Sequence, residues 1–194
     1  MHQALQRSEY MVKEHVGMFK AANNYDMLDL QSGDIVLECR EPNLGLLTKF
    51  LRFTDYKRMT PFDIRLSTPE GEELMQISRG WSLFLSKVDV HMQGRRIGGF
   101  KQKLFSLGGK FDVLDHLDEP VCTLKGKWTG WDFKFIDGER ELGHVNKEWA
   151  GLGKELLTSA DNYRLSIGAE VGKTADLRAL IIAAVMCIDM VLKE

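Results

Sequence analysis

The feature that most constrains this chain lies at its end. In DLRALIIAAVMCIDMVLKE, residues 176–194, ten consecutive residues from Ala179 to Ile188 are apolar. The spacing predicts a helix over 174–192, with Thr174 as N-cap and Asp176 in the first turn, where the helix dipole favours a carboxylate. No polar stripe interrupts residues 179–188, so such a helix must be enclosed on every side, by lipid or by protein. The stretch 179–192 makes about 21 Å of helix at about 1.5 Å per residue, short of the roughly 30 Å of bilayer hydrocarbon. It also carries Asp189, whose burial in lipid costs on the order of 3 kcal/mol. The helix is therefore expected to be the centre of a protein core, with Leu180, Ile181, Val185, Ile188 and Asp189 among its core positions.

The rest of the chain supplies a shell. From Ile35 onward, short apolar runs such as IVLEC (35–39), FDIRL (62–66), FDVLD (111–115) and FKFID (133–137) alternate with turn pairs at Glu70-Gly71, Gln93-Gly94 and Asp137-Gly138. This is the pattern of an antiparallel meander. A weak internal repeat organises it. The segment from Phe62 to Trp81 aligns with that from Phe111 to Trp128, and 88–102 aligns with 133–147, at a period of about fifty residues. Two units of about four strands are too few for a solenoid, but they suit a sheet that closes on itself and so removes its edges. At the N-terminus, Leu5, Met11, Val12, His15, Val16 and Phe19 fall at helical spacing and predict a short amphipathic helix. The expected division is a helical extension over 1–30 and a barrel domain over 31–194.

Composition narrows the function classes. With 44% hydrophobic residues and 28% charged, 194 residues suit one sizeable core. A net charge of −2 gives no global pull toward nucleic acid or acidic lipid, so an anionic partner needs a local basic patch. No nucleic-acid partner is expected. Cys39, Cys122 and Cys187 stand singly among apolar neighbours and read as reduced core thiols. Residues 1–19 contain no uninterrupted apolar stretch of the secretory type, and neither a myristoylation motif nor a prenylation box appears. A cytoplasmic protein, with the option of peripheral membrane attachment, is the expectation. The histidines at 2, 15, 91, 116 and 144 lack partners at ligand spacing, and no nucleophile elbow or HExxH occurs, so nothing points to an enzyme.

Several segments, in order, carry a resemblance: REP at 40–42, KRMTPFDIRL at 57–66, RRIGGFKQK at 95–103, KEWAGLGKELLTSADNYRL at 147–165 and the terminal ALIIAAVMCIDMVLKE. The chain resembles the phospholipid scramblase family, which shares the tubby-like fold with the tubby and LURP-one-related proteins. The resemblance spans about four-fifths of the chain. It implies a twelve-stranded closed antiparallel β-barrel around the C-terminal helix, which agrees with the patterning, and an interaction with phospholipid or a membrane surface. The Pro-rich and Cys-rich extensions of animal members are absent, as in a compact, bacterial-type member.

The resemblance also implies a calcium loop over S159-ADNYRLSIGAE-170, with Asp161, Asn162 and Glu170 as oxygen-bearing residues for Ca2+. Ser159 stands where the loop's first acid is expected and Arg164 where its glycine is, which argues against tight binding, since calcium wants six to eight oxygens around a sharp turn. GAEVGKT (168–174) is one residue short of a phosphate loop. It reads as a strand break at Gly172 and a cap at Thr174.

Basic and aromatic residues interleave in K49-FLRFTDYKR-58, and cations recur nearby. Lys49, Arg52, Lys57 and Arg58, with Arg95, Arg96, Lys101 and Lys103, are the candidate contacts to an anionic phospholipid or membrane surface, worth about 1 kcal/mol per cation. Trp81 and Trp128 hold equivalent repeat positions and are expected to pack at strand ends, with Trp149 unassigned. Trp131, in a turn, is the tryptophan expected at the surface. The implied activity is phospholipid scrambling or, short of that, lipid binding. The alternative is a soluble scaffold or ligand-binding barrel, a small-molecule carrier or a hydrolase, without scramblase activity.

Overall fold

The structure, a computed structural model, describes residues 1–15, 22, 24–54, 56, 59–82, 87–103, 110–127, 130–147, 162–173 and 175–192, with side chains of the last helix through Ile188. Twelve strands succeed one another: β1 (Glu9–Glu14), β2 (Tyr25–Asp29), β3 (Ile35–Arg40), β4 (Phe62–Ser67), β5 (Glu73–Arg79), β6 (Lys87–Met92), β7 (Arg95–Gln102), β8 (Lys110–Asp115), β9 (Pro120–Lys127), β10 (Asp132–Asp137), β11 (Arg140–Lys147) and β12 (Asn162–Ile167). Each pairs antiparallel with its neighbours in sequence, and β1 pairs with β12 to close a barrel. A short helix, α1 (Leu46–Leu51), sits between β3 and β4, and α2 (Ala175–Leu192) ends the described chain. The repeat appears as two four-strand units, β4–β7 and β8–β11.

The strands form because alternate residues suit opposite sides of the wall. In β4, Phe62, Ile64 and Leu66 point inward while Asp63 and Arg65 face outward. The interior is occupied by α2, in which no side chain from Ala179 to Ile188 is more than 3% exposed. Leu180, Ile181, Val185 and Ile188 are buried in the core, whereas the side chain of Asp189 lies outside the described residues. The wall approaches the helix closely at Gly98, whose φ of +150° favours glycine. A Cβ there would lie 2.1 Å from the Leu114 carbonyl oxygen and 3.1 Å from Leu180 Cδ1, so β7 can carry no side chain at that point. No helix among the described residues is long and apolar enough to cross a membrane. The wall's polarity, apolar inside and charged outside, is the reverse of a lipid-spanning barrel.

The N-terminal reading requires correction. In place of a helix through the described residues 4–15, a 3-10 turn at Gln3–Leu5 leads into β1, and β1 and β2 complete the barrel between β12 and β3, while Val16 and Phe19 lie outside the described residues. The boundary at residue 30 therefore divides no structural unit. Tyr10 and Val12 alternate inward within EYMVKE. That period of two outweighed the looser helical spacing. Residues 1–8 instead cap the barrel where α2 enters. Buried Arg178 donates through Nε to the Leu5 carbonyl at 2.7 Å and also to the Arg7 carbonyl, and Tyr10 Oη donates to the Ala4 carbonyl at 2.9 Å.

All three thiols are free and buried. Burial pushes Cys39 and Cys122 up to about 12 and raises Cys187 as well. A raised thiol pKa means almost no thiolate at pH 8. Native protein is therefore expected to react with a thiol-specific chromogenic disulfide at that pH far more slowly than protein in denaturant, where all three should titrate at once. Fast labelling of native protein would contradict this packing.

Candidate membrane interface

Strict alternation of strand direction sorts the connections by end. Those after β2, β4, β6, β8 and β10 are short and share the end where α2 enters. Those after the odd-numbered strands share the opposite end, toward which α2 runs. Among the described residues, the connection from β3 to β4, residues 41–61, departs most from ordinary surface chemistry.

Helix α1 is oriented apolar side out. Leu46, Leu47, Phe50 and, just beyond the helix, Phe53 are exposed, at 87% for Leu46 and 69% for Phe50, whereas Thr48 and Arg52 are buried. Positions 46, 49, 50 and 53 follow one another at helical spacing, so the outer stripe is Leu-Lys-Phe-Phe, with Lys49 its exposed cation. Tyr56 and Trp81 are also exposed and extend the apolar surface. Trp81 belongs to the connection after β5, which is tied to this one by Ser82 N donating to the Met59 carbonyl at 3.2 Å.

The inner side explains how this crest is held. Arg52 forms a two-pronged pair with Glu41, Nη1 to Oε2 at 2.5 Å and Nη2 to Oε1 at 2.7 Å, with side chains only 4% and 1% exposed. The same guanidinium donates to the Pro61 carbonyl at 2.9 Å and to Thr60 Oγ1 at 3.4 Å. From β5, Arg79 donates to the Thr60 carbonyl at 2.5 Å and stacks 4.8 Å over the Phe62 ring. Burial pushes the Arg79 pKa down to about 10, which still leaves it charged near neutrality. Two buried arginines thus clamp both ends of the 41–61 segment onto the barrel and keep its five large apolar side chains in water. Exposed apolar clusters of this kind mark interaction surfaces.

The eight predicted cations do not form one patch. Lys49 lies on the crest, while Lys57 and Arg58 lie outside the described residues. Arg52 is corrected from a surface contact to an internal clamp, because its charge is spent on Glu41. Arg95 pairs with Asp176 at 3.0 Å, and Arg96 with Asp89 at 2.8 Å and Asp118 at 2.5 Å, both toward the end where α2 enters. Lys101 is exposed on the outer wall of β7, and Lys103 pairs with Asp112 at 2.8 Å.

Nor do the described oxygen ligands converge. Asn162 opens β12 and Glu170 lies in the 3-10 turn Ala169–Lys173 beyond it. Extended chain from 162 to 167 alone spans about 17 Å, too far for one ion's ligands, and Arg164 between them pairs with Glu9 at 2.6 Å. Asp161 lies outside the described residues. No group of three potential metal-binding side chains occurs among the described residues. Trp81 and Trp131 exchange their expected places. Trp81 is exposed, whereas Trp131 packs inward with ring centroids 5.0 Å from Tyr163 and 6.1 Å from Phe133. Trp128 and Trp149 lie outside the described residues.

A profile of the Scramblase family matches residues 4–194. The chain belongs to the Scramblase family. Among curated proteins, this Scramblase-family chain is 23% identical to human (Homo sapiens) phospholipid scramblase 2 over 71% of its length and 51% of the relative's. It is 22% identical to the Bos taurus phospholipid scramblase 2 and 21% identical to Mus musculus phospholipid scramblase 1, over 69% of its length in each case and 50% and 45% of theirs. The chain thus spans about half the length of the curated relatives it matches. A crystal structure of an Arabidopsis thaliana protein, 14% identical, superposes with a TM-score of 0.53 over 93% of this chain and 90% of that one, which shows a shared fold.

Proposed function

We propose that this scramblase-family protein engages phospholipid membranes peripherally, with the crest of α1 entering the headgroup region. The observation that carries this reading is the reversed polarity of α1, whose apolar side faces water while its polar side is buried. Each large apolar side chain contributes roughly 1.5–3 kcal/mol when fully removed from water, and Lys49 adds about 1 kcal/mol next to anionic lipid. The aromatic members Phe50, Phe53, Tyr56 and Trp81 suit the interface between water and acyl chains. The names of the relatives, phospholipid scramblases, favour lipid over a protein partner.

The test is co-sedimentation with phosphatidylcholine–phosphatidylserine vesicles. A Leu46→Glu/Phe50→Glu variant should bind at least ten-fold more weakly while keeping the parent circular dichroism and melting temperature, because both side chains are already exposed. Undiminished binding by the folded variant would remove the crest from the interface. Scrambling itself needs a polar path through about 30 Å of hydrocarbon, and dithionite quenching of labelled lipid in the same vesicles measures it separately from docking.

A further inference from the structure

The outer wall opposite the crest carries a second anomaly. Across β8, β9 and β10, Lys110, Lys125 and Lys134 are direct cross-strand partners, and all three are exposed. The row continues to Lys103, whose backbone N–H donates to the Lys110 carbonyl at 3.0 Å. Like charges placed directly opposite one another across a sheet are destabilising. Overall basicity does not explain the row, because the chain's net charge is −2. Edge protection, the usual structural use of strand lysines, does not explain it either, because a closed barrel has no edges.

The flanking carboxylates leave Lys125 uncompensated. Lys103 pairs with Asp112 at 2.8 Å, Lys134 with Glu141 at 2.8 Å, and Asp132 with His144 at 2.5 Å. Lys125, at the centre, has no carboxylate partner among the described residues. It lines an open groove of about 560 Å³ with Lys127, Gly130, Asp132 and Lys134. At Gly130 a Cβ would meet nothing within 4 Å among the described residues.

We infer that this row is a binding site for a ligand bearing adjacent phosphate groups, with Lys125 as its central contact. Direct cross-strand neighbours stand roughly 5 Å apart at Cβ, so three ammonium groups present an extended line of point charges. A single monovalent anion can satisfy only part of it, whereas a polyphosphate neutralises the line and relieves the repulsion among its members. The lysine ammonium, flexible and without directional geometry, suits such a ligand better than a carboxylate demanding a two-pronged fit. The source of the phosphates is either a soluble polyphosphate or a multiply phosphorylated lipid headgroup. This site is independent of the crest.

Tripolyphosphate titrated into the full chain should bind at low salt and raise its melting temperature, while sulfate at matched ionic strength should do neither. Lys125→Glu should weaken binding at least ten-fold, and Leu46→Glu/Phe50→Glu should leave it unchanged. Without ligand, Lys125→Gln should melt about 1–3 °C higher than the parent, since it removes the repulsion. Equal responses to sulfate and tripolyphosphate, or Lys125→Glu binding as tightly as the parent, would overturn the site. Phosphatidylcholine vesicles containing a bisphosphorylated inositol headgroup, compared with the soluble inositol trisphosphate, identify the source. Lys125-dependent vesicle binding well above that of the soluble compound assigns a lipid, and parity assigns a free polyphosphate.

Discussion

A chain ending at Lys173 should be recovered only as insoluble, unfolded protein. Removing α2 leaves the inward rings of Tyr10, Phe100, Phe133 and Phe135, and the aliphatic side chains around them, facing a void that twelve hydrogen-bonded strands cannot collapse to fill. Truncating one buried Leu or Ile to Ala costs about 2–5 kcal/mol, against a total stability of about 5–15 kcal/mol for a domain. Loss of ten enclosed residues exceeds any such margin. A gentler probe of the same claim is Ile182→Asp, which puts a carboxylate where the parent side chain is 0% exposed. It should cost more than about 4 kcal/mol, because a buried charge without a partner is among the few single changes that do. Urea unfolding of this variant, followed by far-ultraviolet circular dichroism, provides the measurement. A soluble truncated chain with the parent β spectrum would mean that the helix docks on the barrel without supporting it.

The second large effect concerns the clamp. Arg52→Ala should destabilise the protein by about 3–5 kcal/mol, because it takes the two-pronged guanidinium partner from a buried carboxylate. The paired replacement Arg52→Met/Glu41→Leu should recover much of that loss, since removing both charges removes the desolvation penalty with them. Thermal melts of Arg52→Met, Glu41→Leu and the double variant form the cycle, and a double-variant cost equal to the sum of the two single costs would show that the pair is not coupled. Limited proteolysis supplies a local readout. Cleavage within 41–61 should rise sharply in Arg52→Ala and stay near the parent level in the double variant. Vesicle binding should fall with the clamp even though every crest side chain is retained, which ties the surface property to an internal one.

The pillar and the shell were legible in the sequence because both rest on long, redundant patterns: ten apolar residues without a polar stripe, and a four-strand unit written twice. What escaped depended on short windows. Six residues of β1 alternate too briefly to outweigh Leu5, Met11, Val12 and Val16 at helical spacing. Arg52 was misplaced because a six-residue helix gives only a faint sign of which side is buried, here Thr48 and Arg52, two polar residues four apart on one side. The lysine row could not be read at all, since positions 103, 110, 125 and 134 become neighbours only through strand register. Trp81 was misplaced because repeat equivalence says where a residue sits along a strand, not which way it faces, and Trp131 because a place in a turn does not fix exposure.

The place of α2 in the chain has a consequence for how the molecule comes into being. The element that every strand packs around follows all twelve of them in sequence order. As the chain emerges during synthesis, hairpins β2–β3 through β10–β11 can form from local contacts, but none of them has its central partner yet. Closure of β1 against β12, pairs such as Tyr10 and Leu165, is also the most sequence-distant contact in the sheet. Wrapping the pillar and sealing the seam must therefore coincide as one late step. Until then, the nascent sheet displays two open edges and an oily inner face, the surfaces on which chaperones act and aggregates begin.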